Sequence, residues 1–473
     1  MVATAPGKQG RTRPTAAQKR VIDQWLQIPK EYGEVNLNND LFLPLLKELG
    51  IRFDQRTSGV NVGQSRGLIP DCLIYQDKDQ PPVLTVELKK RVPELAKATD
   101  AEFINLTQQH CFYRDAVGYN VSRNQNGICQ YLNVDLVKPE YLAPYGLVFN
   151  GDFFQLWRRV DGLIFPLTPI QRITKASIPE LMQQLEYCLT NPQPALVATI
   201  WNRKGGVAKT TNTLNLGATL GLKGKRILLV DLDPQEDLTR GLGLQSPADY
   251  IKPCVDQLEL HNFEDAKAIL QNSIQVRTLP TSDNQSFEIS LLSTDRGSLE
   301  NLRDRKTHPS PPVFLKRVIQ LLQPDYDYIF IDVSPSPDLL TQAVLYSCDT
   351  VLIPSDLGGK AVHHAVQLYE DLIPRMRTLR SEKERLHLAP WNLGIVFSNC
   401  PADSDGLEKM VNAELQQKNF TGKRYETLLR TYAQTKVAEF KGLPVVCWQN
   451  SPITKLYSRL TDEVFLSHNF IDH

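Results

Sequence analysis

The sequence has 473 residues, 41% hydrophobic and 22% charged, with 53 basic and 53 acidic side chains. That length exceeds one ordinary core and predicts two or three domains of a soluble globular protein. The zero formal net charge argues neither for nor against a polyanionic partner, and any nucleic-acid surface must be a local patch. No apolar run approaches about 18 residues, which argues against a helical membrane span. The N-terminus is polar and basic without an apolar core, so no secretory signal is read. The 8 cysteines are scattered singly, with no Cys-x-x-Cys pair and no Cys/His cluster at zinc spacing. Reduced thiols in a cytoplasm are the expectation.

In chain order, residues 1–20 contain Lys8, Arg11, Arg13, Lys19 and Arg20 and no acid. They are read as a disordered basic tail, with a phosphate-contacting arm as the alternative. A first domain is expected over 21–190. It opens with a helical pattern through "NNDLFLPLLKELG", closed by Gly50. The strand-like runs "LIPDCLIYQ", "PVLTVELKK" and "YGLVFNGDFFQLWRRV" follow, the first two separated by turn residues Asp77 to Pro82. The helix "IPELMQQLEYCL" leads into a Pro-containing linker at 191–195. From 196 to 473 the pattern changes. "ALVATIW", "RILLVDL", "YDYIFIDV", "DTVLIPS" and "LGIVFSN" are nearly continuous apolar runs separated by helical stretches. That pattern predicts an α/β domain with a mostly parallel sheet covered on both faces. Residues 249–312 are the least legible part of it.

The first of these runs leads into Lys204-Gly205-Gly206-Val207-Ala208-Lys209-Thr210-Thr211 and then a helix. Glycines admit close backbone approach, and a helix N-terminus presents N–H groups to an anion, so this is a phosphate-binding loop. Lys209 would reach the β- and γ-phosphates, the Thr210 hydroxyl would ligate Mg²⁺, and Thr211 could bond the α-phosphate. The loop departs from G-x-x-x-x-G-K-[ST], with Arg203 and Ala208 at the glycine positions. It resembles instead the K-G-G-x-G-K-[ST] loop of the ParA/MinD family of deviant Walker ATPases, with Ala208 replacing a family glycine.

The resemblance covers about residues 196–465 and implies a P-loop NTPase fold using ATP and Mg²⁺. It implies an ATP-sandwich homodimer in which Lys204 reaches the partner's nucleotide, as an arginine finger does. It assigns Asp233 to the attacking water, Asp231 and Asp332 to the Mg²⁺ shell, and Asn399 to the base. Asp231 and Asp233, at i and i+2, are expected on one face of a strand. It further implies non-specific DNA binding through Lys423, Arg424, Arg430, Lys436, Lys441, Lys455 and Arg459. The other implications are a ParB-like adaptor that stimulates hydrolysis, a cytoplasmic, nucleoid-associated location and no membrane partner. The plain alternative for each of those cations is a solvated surface.

In the first half, Glu87-Leu88-Lys89 on a strand puts Glu87 and Lys89 on one face, and a hairpin can bring Asp71 beside Glu87. Two converging carboxylates bind Mg²⁺, and a neighbouring lysine can orient a water. The surroundings resemble the PD-(D/E)XK nuclease fold, as in the N-terminal domain of type I restriction-enzyme motor subunits. The likeness lies in Glu34 ahead of the first helix, a Gln109-x-x-x-Tyr113 helix, and the Asn150-Gly151 turn. It implies a smaller α/β restriction-endonuclease-like domain that cuts DNA, only binds it, or docks a partner. An exposed Glu87–Lys89 pair on an edge strand is the alternative.

Overall fold

The computed structural model describes residues 13–50, 53–57, 59–65, 67–119, 126–191, 193–246, 249–281, 285–303, 311–383, 388–448 and 450–471. They form two compact units. The first holds the described residues of Met1–Pro192, Arg380–Leu388 and Phe465–His473; the second holds those of Gln193–Leu379 and Ala389–Val464.

The first unit is a mixed sheet of strands β1 (Asp54–Thr57), β2 (Cys72–Tyr75), β3 (Leu84–Leu88), β4 (Tyr145–Phe149), β5 (Phe153–Val160), β6 (Leu163–Pro166) and β7 (Gln171–Arg172). β1 to β6 lie side by side in chain order, and β7 pairs with β5. All these pairings are antiparallel except β3 with β4. Alternation along the strands decides which core each side chain joins. Val86 and Leu88 join Val21, Leu45 and Leu185, from the helices Ala16–Gln27, Leu43–Glu48 and Ile178–Thr190. Leu73 and Val148 join Phe103, Tyr113 and Tyr131 on the opposite face. β3 is therefore a central strand buried on both faces, which excludes the exposed edge-pair reading of Glu87 and Lys89.

The second unit contains β8 (Leu196–Ile200), β9 (Ile227–Asp231), β10 (Gln275–Pro280), β11 (Ser286–Ser293), β12 (Tyr328–Asp332), β13 (Thr350–Ser355) and β14 (Trp391–Phe397). The sheet order is β10-β11-β9-β12-β8-β13-β14. Every pairing is parallel except β10 with β11. The five apolar runs form β8, β9, β12, β13 and β14, as expected. The illegible stretch supplies the hairpin β10–β11. Its edge strand β10 is half exposed and carries too little apolar alternation to be seen in sequence. In an open sheet of this kind ligands bind at the carboxyl ends of the strands.

Three boundaries differ from expectation, one being that the described residues of Arg380–Leu388 fall with the first unit. Residues 1–12 lie outside the described residues, but Lys19 and Arg20 are not tail. They sit on the helix Ala16–Gln27, which Thr15 and Gln18 close with a reciprocal capping box. At the other end, Phe465–Ile471 does not belong with the second unit. Strand β15 (Asn469–Phe470) adds to β6 in parallel, Asn469 opposite Leu163. No described helix is long and apolar enough to cross a membrane. None of the eight cysteines is in a disulfide.

Candidate active sites

The phosphate loop spans β8 to the helix Lys209–Leu222. That helix is buried nearly all round. Gly205 and Gly206 leave open space where a Cβ would stand, and Gly206 has φ +75°. Ala208 holds φ 63° and ψ 35° immediately before the helix, the left-handed region that a glycine occupies without cost. Glu236 (φ 55°) and Asn399 (φ 55°) share this conformation at neighbouring loops. Strained non-glycine backbone concentrates at functional sites.

Asp231 and Asp332 are register partners at the ends of adjacent parallel strands. Both side chains are buried, at 1% exposure each. Asp332 Oδ2 accepts a hydrogen bond from the Thr210 hydroxyl at 2.7 Å, whereas Oδ1 is buried without a partner among the described residues. Burial first, then the Asp231 charge, raises the Asp332 pKa well above the carboxylate range. Lys209 is buried, its Nζ donating to the Lys204 carbonyl at 2.9 Å. Burial lowers its pKa, opposed by Asp332 and Asp233. Thr211, the residue after Thr210, lies half-buried. The Asn399 amide donates to the Gly206 carbonyl at 2.9 Å, so it does stand at the loop. Lys204 Nζ is 2.6 Å from Asp356 Oδ2, a partner that no spacing in the sequence announces.

The shared face expected for Asp231 and Asp233 is not found. β9 ends at Asp231, so alternation stops before Asp233. Asp231 Oδ2 accepts from the Thr239 N–H at 2.9 Å and hydroxyl at 2.6 Å, while Oδ1 accepts from the Asp233 N–H at 3.1 Å. Asp231 therefore anchors the turn that carries Asp233. Its pKa is pushed up to about 6 by burial, against those hydrogen bonds. Asp233 itself is half-buried, with Oδ1 accepting from the Gln235 N–H.

Several of the seven basic residues are engaged within the fold. Lys423 is half-buried over the Tyr425 ring. Arg430 donates to the Pro401 and Ala402 carbonyls at 2.7 Å, and Arg459 pairs with Glu463 at 2.9 Å. Arg424 is exposed but bonded to Asn412. Lys436 and Lys455 are exposed, as is Lys441, whose Nζ lies 5.6 Å over the Trp448 ring, and Phe440 beside it is 93% exposed.

In the first unit the hairpin β2–β3 does bring Asp71 to Glu87. Asp71 Oδ2 accepts from the Leu88 N–H at 2.7 Å, and Lys89 Nζ lies 2.5 Å from Glu87 Oε1. Glu87 Oε2 is buried without a partner among the described residues. Burial pushes the Glu87 pKa up to about 8, with Asp71 and Glu34 raising it and Lys89 opposing. Burial also raises Asp71. Glu34 is thus an electrostatic neighbour, but no group of three or more His, Cys, Asp or Glu among the described residues is arranged to hold a metal. Gln109 does not join. His110 breaks the expected Gln-x-x-x-Tyr helix into Asp100–Gln109 and Cys111–Val117, and exposed Gln109 bonds Asn105. Tyr131, which the sequence did not single out, is buried beside Glu87 and Asp71 and donates to the Ile69 carbonyl at 2.9 Å.

Two outcomes follow from this geometry. Ala208→Gly relieves about 1–2 kcal/mol of left-handed strain against about 0.4–1 kcal/mol of added unfolded-chain freedom. A higher denaturation midpoint is expected, and a lower one would count against the strain. For Glu87, the unfolded chain loses its proton near 4.5 and the fold holds it to about 8. The unfolded state then binds fewer protons across that window, so stability falls as pH rises through it. Wild type should lose thermal stability relative to Glu87→Gln between those pH values; parallel curves would show that Glu87 ionises freely.

Residues 195–386 match the family model described as an AAA domain. The sporulation initiation inhibitor protein Soj of Bacillus subtilis is 31% identical over 270 residues, 57% of this chain and 97% of Soj. The chromosome-partitioning ATPase Soj of Treponema pallidum is 30% identical, covering 52% of this chain and 86% of its own. A ParA family protein of Chlamydia pneumoniae is 30% identical, covering 56% and 94%. A solved structure of pNOB8 ParA, 22% identical, covers 57% of this chain and 95% of its own with a TM-score of 0.40. With a loop of the Lys-Gly-Gly type and near-complete coverage of Soj, the chain belongs to the ParA/Soj family of P-loop ATPases.

Proposed function

We propose that the second unit is a ParA-type switch. It binds ATP with Mg²⁺, closes into a dimer around two nucleotides, binds DNA without sequence preference, and uses hydrolysis to partition DNA or position a cargo. The observation that carries this reading is the pairing of Thr210 with Asp332 beneath the loop, with Lys204 held at its rim. The residues fit the nucleotide and metal. The glycines leave a cradle for phosphates, Lys209 supplies buried positive charge, and Thr210 with the unpartnered Asp332 Oδ1 would hold Mg²⁺. Bound Mg²⁺ would neutralise phosphate charge. Lys204 would leave Asp356 to lie against the partner's nucleotide, where a cation stabilises a transferring phosphoryl group. Asp233, at the end of the turn anchored by Asp231, would orient water. The relatives' names support partitioning, and a ParB-like adaptor is the expected stimulating partner. DNA contact would fall to Lys436, Lys441 and Lys455, making it salt-dependent, in a cytoplasmic, nucleoid-associated protein. Lys204→Ala should keep ATP affinity while losing about 10² or more in turnover, and Asp233→Ala should accumulate as an ATP-bound dimer. Wild-type turnover and dimerisation in Lys204→Ala, by sedimentation and phosphate release, would sink the shared site.

A second reading concerns the first unit. We propose a restriction-endonuclease-like domain, supported by the convergence of Asp71, Glu87 and Lys89 at the end of one hairpin. Asp71 and the unpartnered Glu87 Oε2 would hold Mg²⁺, and Lys89 would orient a water. Incubating DNA with Mg²⁺, with and without ATP, separates the roles. Cutting that both Asp71→Ala and Glu87→Ala lose identifies an ATP-coupled nuclease. ATP-dependent binding without cutting, unchanged in both variants, leaves a partition switch carrying a binding or docking domain.

A further inference from the structure

A chain of side-chain hydrogen bonds outside the loop motif ties the phosphate-loop helix to the loop's glycine turn. The Tyr457 hydroxyl, on the helix Pro452–Thr461, donates to Asn212 Oδ1 at 2.9 Å. Asn212 Nδ2 donates to the Ser398 hydroxyl oxygen at 2.8 Å. Asn212 lies in the first turn after Lys209, and Ser398 directly follows β14. Asn399, next in the chain, donates from its amide to the Gly206 carbonyl at 2.9 Å. All of these residues belong to the second unit.

Asn212, Ser398 and Tyr457 are buried, so each bond among them is made away from water, where a lost partner is costly. The chain also has a direction. A tyrosine hydroxyl has one hydrogen to donate, and an amide offers an acceptor at one end and donors at the other. Tyr457 therefore decides which end of the Asn212 amide faces Ser398. Without that hydroxyl, a half-turn of the amide would set Oδ1 against Ser398, whose own hydroxyl can donate, and the two orientations would compete.

Asn399 is exposed and holds φ 55°, a sparsely populated conformation that persists where surrounding structure imposes it. That support comes through Ser398. Its N–H donates to the Ser355 carbonyl at 2.8 Å, and its hydroxyl takes the Asn212 hydrogen bond. The Gly206 peptide needs an external hold, because Gly205 and Gly206 have open space where a Cβ would stand and packing does not fix the peptide plane. A planar trans peptide points its C=O and the following N–H in opposite directions. Holding the Gly206 carbonyl on Asn399 thus sets the direction of the Val207 N–H within the loop.

We propose that Tyr457, Asn212 and Ser398 are positioning residues for nucleotide binding. They hold Asn399 on Gly206 and so keep the loop amides in an anion-binding arrangement. This inference rests on the ATP-binding reading of the second unit.

Titration of the full chain with a fluorescent Mg-ATP analogue, alongside phosphate release with Mg-ATP, tests both. No binding by wild type would overturn the ATP reading and the positioning chain with it. Asn399→Ala and Tyr457→Phe should each raise Kd about tenfold, with KM rising and kcat changing by less than about threefold. Wild-type affinity in Tyr457→Phe would overturn the inference and leave the ATP reading standing. The deciding comparison is the double variant. If Tyr457 acts through Asn399, the pair should bind no more weakly than Asn399→Ala alone, a coupling that independent sites do not show. Losses that multiply to about a hundredfold would mean that Tyr457 merely supports the fold, and would overturn the inference. Thermal melts check that each variant folds. If Tyr457→Phe does not, Ser398→Ala, which removes the acceptor at the other end of the chain, takes its place in the pair with the same two outcomes.

Discussion

The hydrogen bond from the Thr210 hydroxyl to Asp332 fixes the second unit's geometry at the point where its chemistry would occur. It joins the first turn of a buried helix to the end of a central strand, so the loop cannot move without disturbing the sheet. A carboxylate as buried as Asp332 is strongly disfavoured as an anion unless cations and donors surround it. The loop supplies a hydroxyl and, farther off, the Lys209 ammonium, and leaves one oxygen unpaired. Asp231 faces the same burial and solves it locally, through Thr239 and the Asp233 N–H. Two carboxylates side by side in register thus take opposite roles, one anchoring and one available.

The first unit repeats that logic on a different sheet. Glu87 is placed by alternation on the face opposite Val86 and Leu88, and among the described residues Lys89 is the cation bonded to it. Holding two acids there costs folding stability, as the raised pKa of each records. A purely structural pair on a central strand would be replaced by apolar residues with little loss.

What could be read from sequence was whatever depends on local periodicity. β8, β9, β12, β13 and β14 are short, nearly continuous apolar runs separated by helical stretches, so they were legible. Asp71, Glu87 and Lys89 were legible because a short hairpin fixes their register. The period-two argument failed for Asp231 and Asp233 because a strand's end is decided by the donors that meet it, here from Thr239. The Gln109–Tyr113 helix failed because His110 takes extended backbone and starts a new helix. Asp356 and Tyr131 could not be found at all, since each reaches its partner through the tertiary fold. Ala208 was noticed as a departure from a glycine pattern, but only the backbone shows that it adopts the glycine's conformation. The basic residues near 423–459 were countable in sequence, whereas their engagement with carbonyls and acids was not.

Pairing Asn469 with Leu163 has a topological consequence. Leu388 is already bonded to Leu167 of the first unit, so the loop that this pair newly closes runs through the last part of the ATPase unit and is about 80 residues long. For a flexible loop of that length, closure costs on the order of 4 kcal/mol in entropy. A folded insert holds its two ends at a fixed separation and removes most of that cost. The last strand of one sheet is therefore stabilised by the mere folding of the other unit, with no contact required. Partial unfolding of the ATPase unit by heat or denaturant would loosen β15 before it affected the strands β1 to β5, so the two units need not melt as independent bodies.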